Sequence, residues 1–376
     1  MTRLPGLDLL RAIAIVWVVL FHTAGAGLSM PFRDFSILGW MGVDLFFVLS
    51  GFLIGEQLLK PIAQRRELNI GKFYISRAFR ILPAYAVVVL LYFLLPFTRE
   101  GHGLPPLWQF LSFSVNLQVD VGTNTFSHVW SLCVEEHFYL FFPLIVWLLM
   151  NRSSTAKVLA LAIAIIGFGM ALRGHLWLTK LDTFPVYRSY VENIYYPTYN
   201  RLDGLLAGVL LAGLKVFKPS HWELVVKHGN KVLLAGLAGL GLAIWIFKER
   251  FGFTATVIGF PLLSFSLAFI VAAASSTNSL IGKFKVPGAA LLATLAYSMY
   301  LTHKSVFQMV KTLIGPQLVD NDYLAFAVYG GAVLAGAAIL YLTVERPFLK
   351  LRSKYLARNK DESQRIDGVN AQVTNT

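Results

Sequence analysis

The stretch LDLLRAIAIVWVVLFH, Leu7–His22, decides the fold class. With the residues that follow it to position 28, it reaches the roughly 17 to 25 predominantly apolar residues that a helix needs to cross a bilayer. Nine further stretches read the same way: 37–59, 81–97, 130–150, 157–178, 200–217, 231–247, 254–274, 287–308 and 323–344. Composition agrees. Of 376 residues, 56% are hydrophobic and 14% charged, with a mean hydropathy of +0.62, whereas a water-soluble domain carries about 25% charge. A soluble globule is thereby excluded, and so is a disordered chain, which lacks the apolar surface to collapse. The expected fold is all-α, a polytopic membrane protein of ten transmembrane helices. A single membrane domain covers 1–350, and 351–376 is a polar tail expected to be disordered.

Ten spans put both termini on one side. The segments 1–6, 60–80, 151–157, 215–231, 275–286 and 345–376 hold 22 of the 33 basic residues, so both termini are predicted cytoplasmic; the expected location is the cell's inner membrane. The net charge of +13 is read as this topology signal and not as a nucleic-acid footprint. One cysteine, Cys133, permits neither an intrachain disulfide nor a thiolate metal centre, and no metal is expected. Residues 9–20 followed by Ala24 and Ala26 have the outline of a cleaved leader, but Arg11 inside the apolar run argues against it. No Walker A loop, GxGxxG turn or HExxH is present, so nucleotide hydrolysis, dinucleotide chemistry and zinc proteolysis lack their motifs.

An ionisable side chain inside a span costs roughly 2.5 to 3.5 kcal/mol on insertion scales, so each one is a functional candidate. Arg11 and His22 are eleven residues apart. At 100° per residue they share one helix face, about 16 Å apart along the axis, and Asp8 joins that face. A lone intramembrane histidine reads most simply as a hydrogen-bonded structural group, and a shared face with a guanidinium shifts the balance toward chemistry. Within 130–150, Ser131 and Glu135 stand at i, i+4, with Glu136 beside them. A carboxylate here either locks the bundle by pairing with Arg201 or Lys304 or takes part in catalysis, and both readings stay open. The next candidates are Arg201 and Asp203, followed by a small-residue stripe of Gly204, Gly208 and Ala212 that reads as helix packing. The 60–80 segment carries six basic residues against one acid, which suits anionic lipid. Its Arg77 and Arg80 at i, i+3 also form a fork for phosphate oxygens.

Seven motifs occur together and in order: LDLLRAIAIVWVVLFH at 7–22, GWMGVDLFFVLSGFLIG at 39–55, FYISRAFRILPAY at 73–85, HVWSLCVEEHFYLFFP at 128–143, YNRLDGLLAG at 199–208, YSMYLTH at 297–303 and VERPF at 344–348. In this order they resemble the acyltransferase-3 family of integral membrane acyltransferases, in the branch without an appended extracytoplasmic esterase-like domain. The resemblance implies an enzyme that takes an acyl group, usually acetyl, from cytoplasmic acyl-CoA and delivers it to a hydroxyl of a carbohydrate or glycoconjugate at the outer face. It places the family's arginine and histidine on Arg11 and His22, its paired arginines on Arg77 and Arg80, and its acid on Glu135. Lys304 and Ser305, directly after YSMYLTH, depart from the family pattern.

The expected chemistry follows from these assignments. Arg77 and Arg80 hold the CoA phosphates with Arg11 guiding the donor, and His22 acts as general base on the acceptor hydroxyl. Glu135 stands behind the imidazole. Trp130 and Ser131, near Glu135 in sequence, are candidates for contact with the reacting carbonyl, and Arg201 and Asp203 for contact with the acceptor. Direct transfer and an acyl-His22 intermediate use the same residues. The rivals are a transporter or flippase for a glycan or acyl group, in which intramembrane charges mark a path, and an acyltransferase acting on a small secondary metabolite.

Overall fold

The computed structural model describes residues 4–23, 33–121, 125–149, 155–181, 186–318 and 321–358. Ten long helices follow in chain order: α1 (Pro5–Thr23), α2 (Met41–Ala63), α3 (Ile70–Leu94), α4 (Val129–Leu149), α5 (Thr155–Lys180), α6 (Asp203–Phe217), α7 (Gly229–Ile246), α8 (Phe260–Ala274), α9 (Ala289–Ile314) and α10 (Asp322–Leu340). Each overlaps one predicted span, and no strand occurs among the described residues. In hydrocarbon every backbone N–H and C=O must find its partner within the segment, which a helix achieves by itself. Asparagines cap two of the helices: Asn69 Oδ1 accepts from the Lys72 amide at 2.7 Å and Asn321 Oδ1 from Leu324 at 2.9 Å.

Eight of the ten are long and apolar enough to cross a membrane. The other two account for the difference from the expected count. Helix α6 has 15 residues, about 22 Å at 1.5 Å per residue, short of a hydrocarbon layer about 30 Å thick. Helix α9 has 26, but its second half carries His303, Lys304, Gln308 and Lys311. Both are interior helices. The most extensive contact in the molecule joins α6 to α2, and α9 packs against α1 and α10.

The α2–α6 contact rests on glycines. A Cβ on Gly51 would stand 2.0 Å from the Leu205 carbonyl oxygen, and one on Gly208 would stand 2.2 Å from that of Val48. The predicted small-residue stripe therefore faces α2, and backbones touch there without intervening side chains. Helix α1 packs on α2 and α9, and α8 on α6, α7 and α2, while α5 and α7 turn most of their surface outward.

Two buried ion pairs pin the start of α6. Arg173 donates to both carboxylate oxygens of Asp203, at 2.7 and 3.2 Å, and also to the carbonyls of Asn200 and Thr256. Arg201 donates to Asp44 at 2.7 Å. Breaking one side of such a pair costs about 3–5 kcal/mol, because the other charge stays buried.

Beyond α10 the chain stays helical through Glu345 to Arg358. Residues 351–358, part of the stretch expected as a polar, disordered tail, are helical, the helix running on through Pro347. Residues 359–376 lie outside the described residues, as do Ala24 and Ala26.

Candidate active site

Two cavities meet between α1, α2, α4 and α9. The larger, about 410 Å³, is lined by four guanidiniums, Arg11, Arg77, Arg80 and Arg352, together with Glu135 and Ser131. Its volume falls within the roughly 300–1,000 Å³ of small-molecule sites, and its charge suits an anion. Arg77 donates to Gln57 Oε1 at 3.3 Å and packs over the rings of Phe73 and Tyr139, yet its Nε–H is buried without an acceptor. Such an orphaned donor on a charged group fits a site built for a phosphate oxygen.

The smaller cavity, about 50 Å³, has a different chemistry. His22 and His128 line it with Trp40, Trp130, Tyr195 and Arg250. Tyr300 and Val43 line both cavities and form the wall between them. On α4 the consecutive residues Trp130 and Ser131 face opposite sides of that wall. The Tyr300 hydroxyl lies 2.5 Å from Ser131 Oγ and donates to the carbonyl of His128, so Ser131 is the donor in their shared bond. On α1 the shared face of Arg11 and His22 looks into one cavity with each residue.

Hydrogen-bond partners fix the tautomer of His22. Its Nδ1 is 2.8 Å from the Val18 carbonyl, which only accepts, so Nδ1 carries the proton and Nε2 the lone pair. His303 Nδ1 lies 2.8 Å from the Tyr300 carbonyl and 3.2 Å from that of Met299, which places its proton there too. His303 Nε2, left as an acceptor, stands 3.3 Å from His22 Nδ1. His128 completes a cluster of three imidazoles, its ring 4.7 Å from that of His303 and 6.3 Å from that of His22. The residues just before His128 are held tightly. Phe126 adopts a left-handed φ of 61°, stacks on Tyr92, and donates its amide to Glu100. Among the described residues no group of three His, Cys, Asp or Glu side chains is arranged to hold a metal ion.

Several sequence expectations change here. Glu135 is not behind His22: it lines the basic cavity and accepts from Ser50 at 3.0 Å and from Tyr139 at 3.0 Å, while the group behind the imidazole is His303. Arg201 and Asp203 line neither cavity and are committed to the ion pairs with Asp44 and Arg173. Neither adjacent glutamate pairs with Arg201 or Lys304. Lys304 donates to Ser127 at 2.7 Å and Glu100 at 3.3 Å, clamping the segment before His128, and Glu136 Oε1 is buried without a partner. The residues of the two linings and the cluster that the sequence does not single out include His128, Tyr300, His303, Arg250 and Arg352. His128 and His303 sit inside quoted motifs, and the i, i+3 spacing of Tyr300 and His303 was the available signal. Arg352 had none, since it reads as one more basic residue after the last span.

The model of the acyltransferase-3 family, described as an acyltransferase domain, matches residues 4–342. The chain belongs to that family. Similar curated proteins include the O-acetyltransferase OatA of Staphylococcus aureus, 26% identical over 375 residues, covering 94% of this chain and 58% of that protein. A putative O-acetyltransferase of S. aureus strain COL is 28% identical over 382 residues, covering 93% of this chain and 58% of its own length. The chain thus spans less than two thirds of the length of these relatives. No solved structure gives a significant match. Within this acyltransferase-3 chain, both cavities are built from residues of the matched stretch, with Arg352 the one cation supplied from beyond it.

Proposed function

We propose that the chain is a multi-pass O-acyltransferase of the cell's inner membrane, with both termini cytoplasmic. It moves an acyl group, most simply acetyl, from cytoplasmic acyl-CoA to a hydroxyl of a carbohydrate or glycoconjugate presented at the opposite face. One observation carries this reading: a basic cavity and an imidazole-lined cavity lie back to back across one tyrosine.

Arg77, Arg80, Arg352 and Arg11 bind the phosphates of the donor, which are too strongly hydrated to enter hydrocarbon. The slender pantetheine arm carries the thioester along the face of α1, about 16 Å from Arg11 to His22. His22 Nε2 accepts the proton of the acceptor hydroxyl as its oxygen attacks the thioester carbonyl carbon. The C–S bond breaks, and the departing sulfur takes the proton from His22. The products are an ester and free CoA thiol. A positioned general base contributes about 10²- to 10⁴-fold. Ser131 and Tyr300 meet the carbonyl as it crosses the wall, and Glu135 holds Tyr139 against Arg77 on the donor side. The acetyl group and the hydroxyl acceptor extend to this chain what the names of its relatives say of them.

The test is acetyl-CoA turnover by purified protein, followed as thiol release with and without glycan acceptors. His22→Ala is expected to abolish transfer while acetyl-CoA binding and protein level survive. Wild-type transfer in that variant removes His22 from the chemistry. Glycan movement across vesicles without thiol release identifies a flippase instead.

A further inference from the structure

Three arginines cluster where α5, α6 and the α7–α8 connection meet, and their surroundings differ in one respect. Arg173 has the Asp203 carboxylate and two carbonyls, and Arg201 has Asp44. Arg250 has neither an ion pair nor a hydrogen bond to any described residue. Its guanidinium instead lies 4.6 Å from the ring of Trp40 and 5.1 Å from that of Tyr195. Of the three, it is the one that lines the small cavity with His22, and among the described residues no carboxylate lines that cavity; the Asp44 carboxylate, which attracts it from outside the cavity, is hydrogen-bonded to Arg201.

Aromatic faces hold a guanidinium through its flat surface and leave its in-plane N–H groups free. A cation held in this way, lining a cavity with no carboxylate among the described residues, is arranged to receive an anion bidentately. The dimensions say where that anion sits. A volume of about 50 Å³ takes roughly three to five water-sized spheres at about 10–15 Å³ each, which is enough for a hydroxymethyl arm and too little for a sugar ring. The ring must therefore stay at the rim, where Tyr187 is 53% exposed and Arg250 partly exposed, while His128 behind them is buried.

We infer that Arg250 is an acceptor-recognition residue and that the acceptor is an anionic glycan. Its carboxylate or phosphate is held by Arg250 while a neighbouring hydroxyl reaches His22. This rests on the acyltransferase reading for the identity of the acceptor, but the anion site itself is tested by binding. Full-length protein in detergent is titrated calorimetrically with a hexuronate oligosaccharide, with the same oligosaccharide after carboxyl reduction, and with a neutral oligosaccharide bearing a phosphate monoester. The expected result is at least tenfold tighter binding of an anionic probe than of the reduced one. The tighter of the two anionic probes identifies the group. Arg250→Gln is expected to erase the difference and Arg250→Lys to retain part of it.

Equal binding of charged and reduced probes, no binding of either anionic probe, or discrimination that survives in Arg250→Gln would overturn the inference. Thiol release with the same probes separates the two readings. Discrimination without transfer to any acceptor leaves the anion site and removes the enzyme, whereas equal transfer to charged and neutral acceptors does the reverse.

Discussion

Replacing His303 by alanine tests what stands behind His22, the proposed catalytic base. In the proposed transition state His22 gains a positive charge, and its Nδ1–H then donates to the Val18 carbonyl, 2.8 Å away, and to His303 Nε2, 3.3 Å away. A hydrogen bond to a charged group is worth about 1.5–3 kcal/mol, but this one is at the long limit of normal geometry and shared with a shorter one. About 1.4 kcal/mol is the appropriate share, and that is roughly tenfold in rate. The loss cannot approach that of removing the base, because Val18 still fixes the tautomer. His303→Ala should thus lower kcat about tenfold with KM for both substrates unchanged. His303→Gln, whose amide oxygen can accept in place of Nε2, should recover most of it. Alanine also leaves a hole among the rings of His22, His128 and Phe307, so rates are normalised to the monodisperse fraction on size exclusion. An unchanged kcat in His303→Ala, or a loss that appears entirely in acceptor KM, refutes the positioning role.

Two further outcomes follow from the basic cavity and the helix contact. Arg80→Ala and Arg352→Gln should each raise KM for acetyl-CoA about tenfold or more with little change in kcat, as expected for one charge-assisted phosphate contact. An unchanged KM in Arg352→Gln takes the terminal helix out of the donor site. Gly208→Ala forces a Cβ against the backbone of α2 and should abolish monodisperse protein, whereas Gly213→Ala, with nothing within 4 Å, should behave as wild type on size exclusion.

The helices were legible because spanning length and apolarity are one-dimensional properties, and each predicted span has its helix. The two that fall short of spanning, α6 and α9, are bounded by partners that hydropathy does not see: a glycine seam in the first and clamped polar side chains in the second. Site residues on a single helix could be grouped from periodicity, which is how Arg11 and His22 came to share a face. Pairings between helices could not be read this way. Glu135 reads as the partner of His22 because carboxylates commonly back catalytic imidazoles, yet it lines the basic cavity, with Tyr300 between it and the small one. The partner, His303, comes from a helix 281 residues further along the chain than His22. Arg201 and Asp203 look alike as intramembrane charges, and only the fold reveals that each already has its counter-ion.

The wall formed by Tyr300 and Val43 matters for the cell as well as for the enzyme. A water-filled bore from one face to the other would short-circuit the proton gradient across the membrane it crosses. In the proposed mechanism the thioester carbonyl meets the alcohol at Tyr300 and Val43, the side chains that line both cavities, and the reaction calls for no open bore. An acyl group handed over in that manner would cross the membrane without an electrical leak.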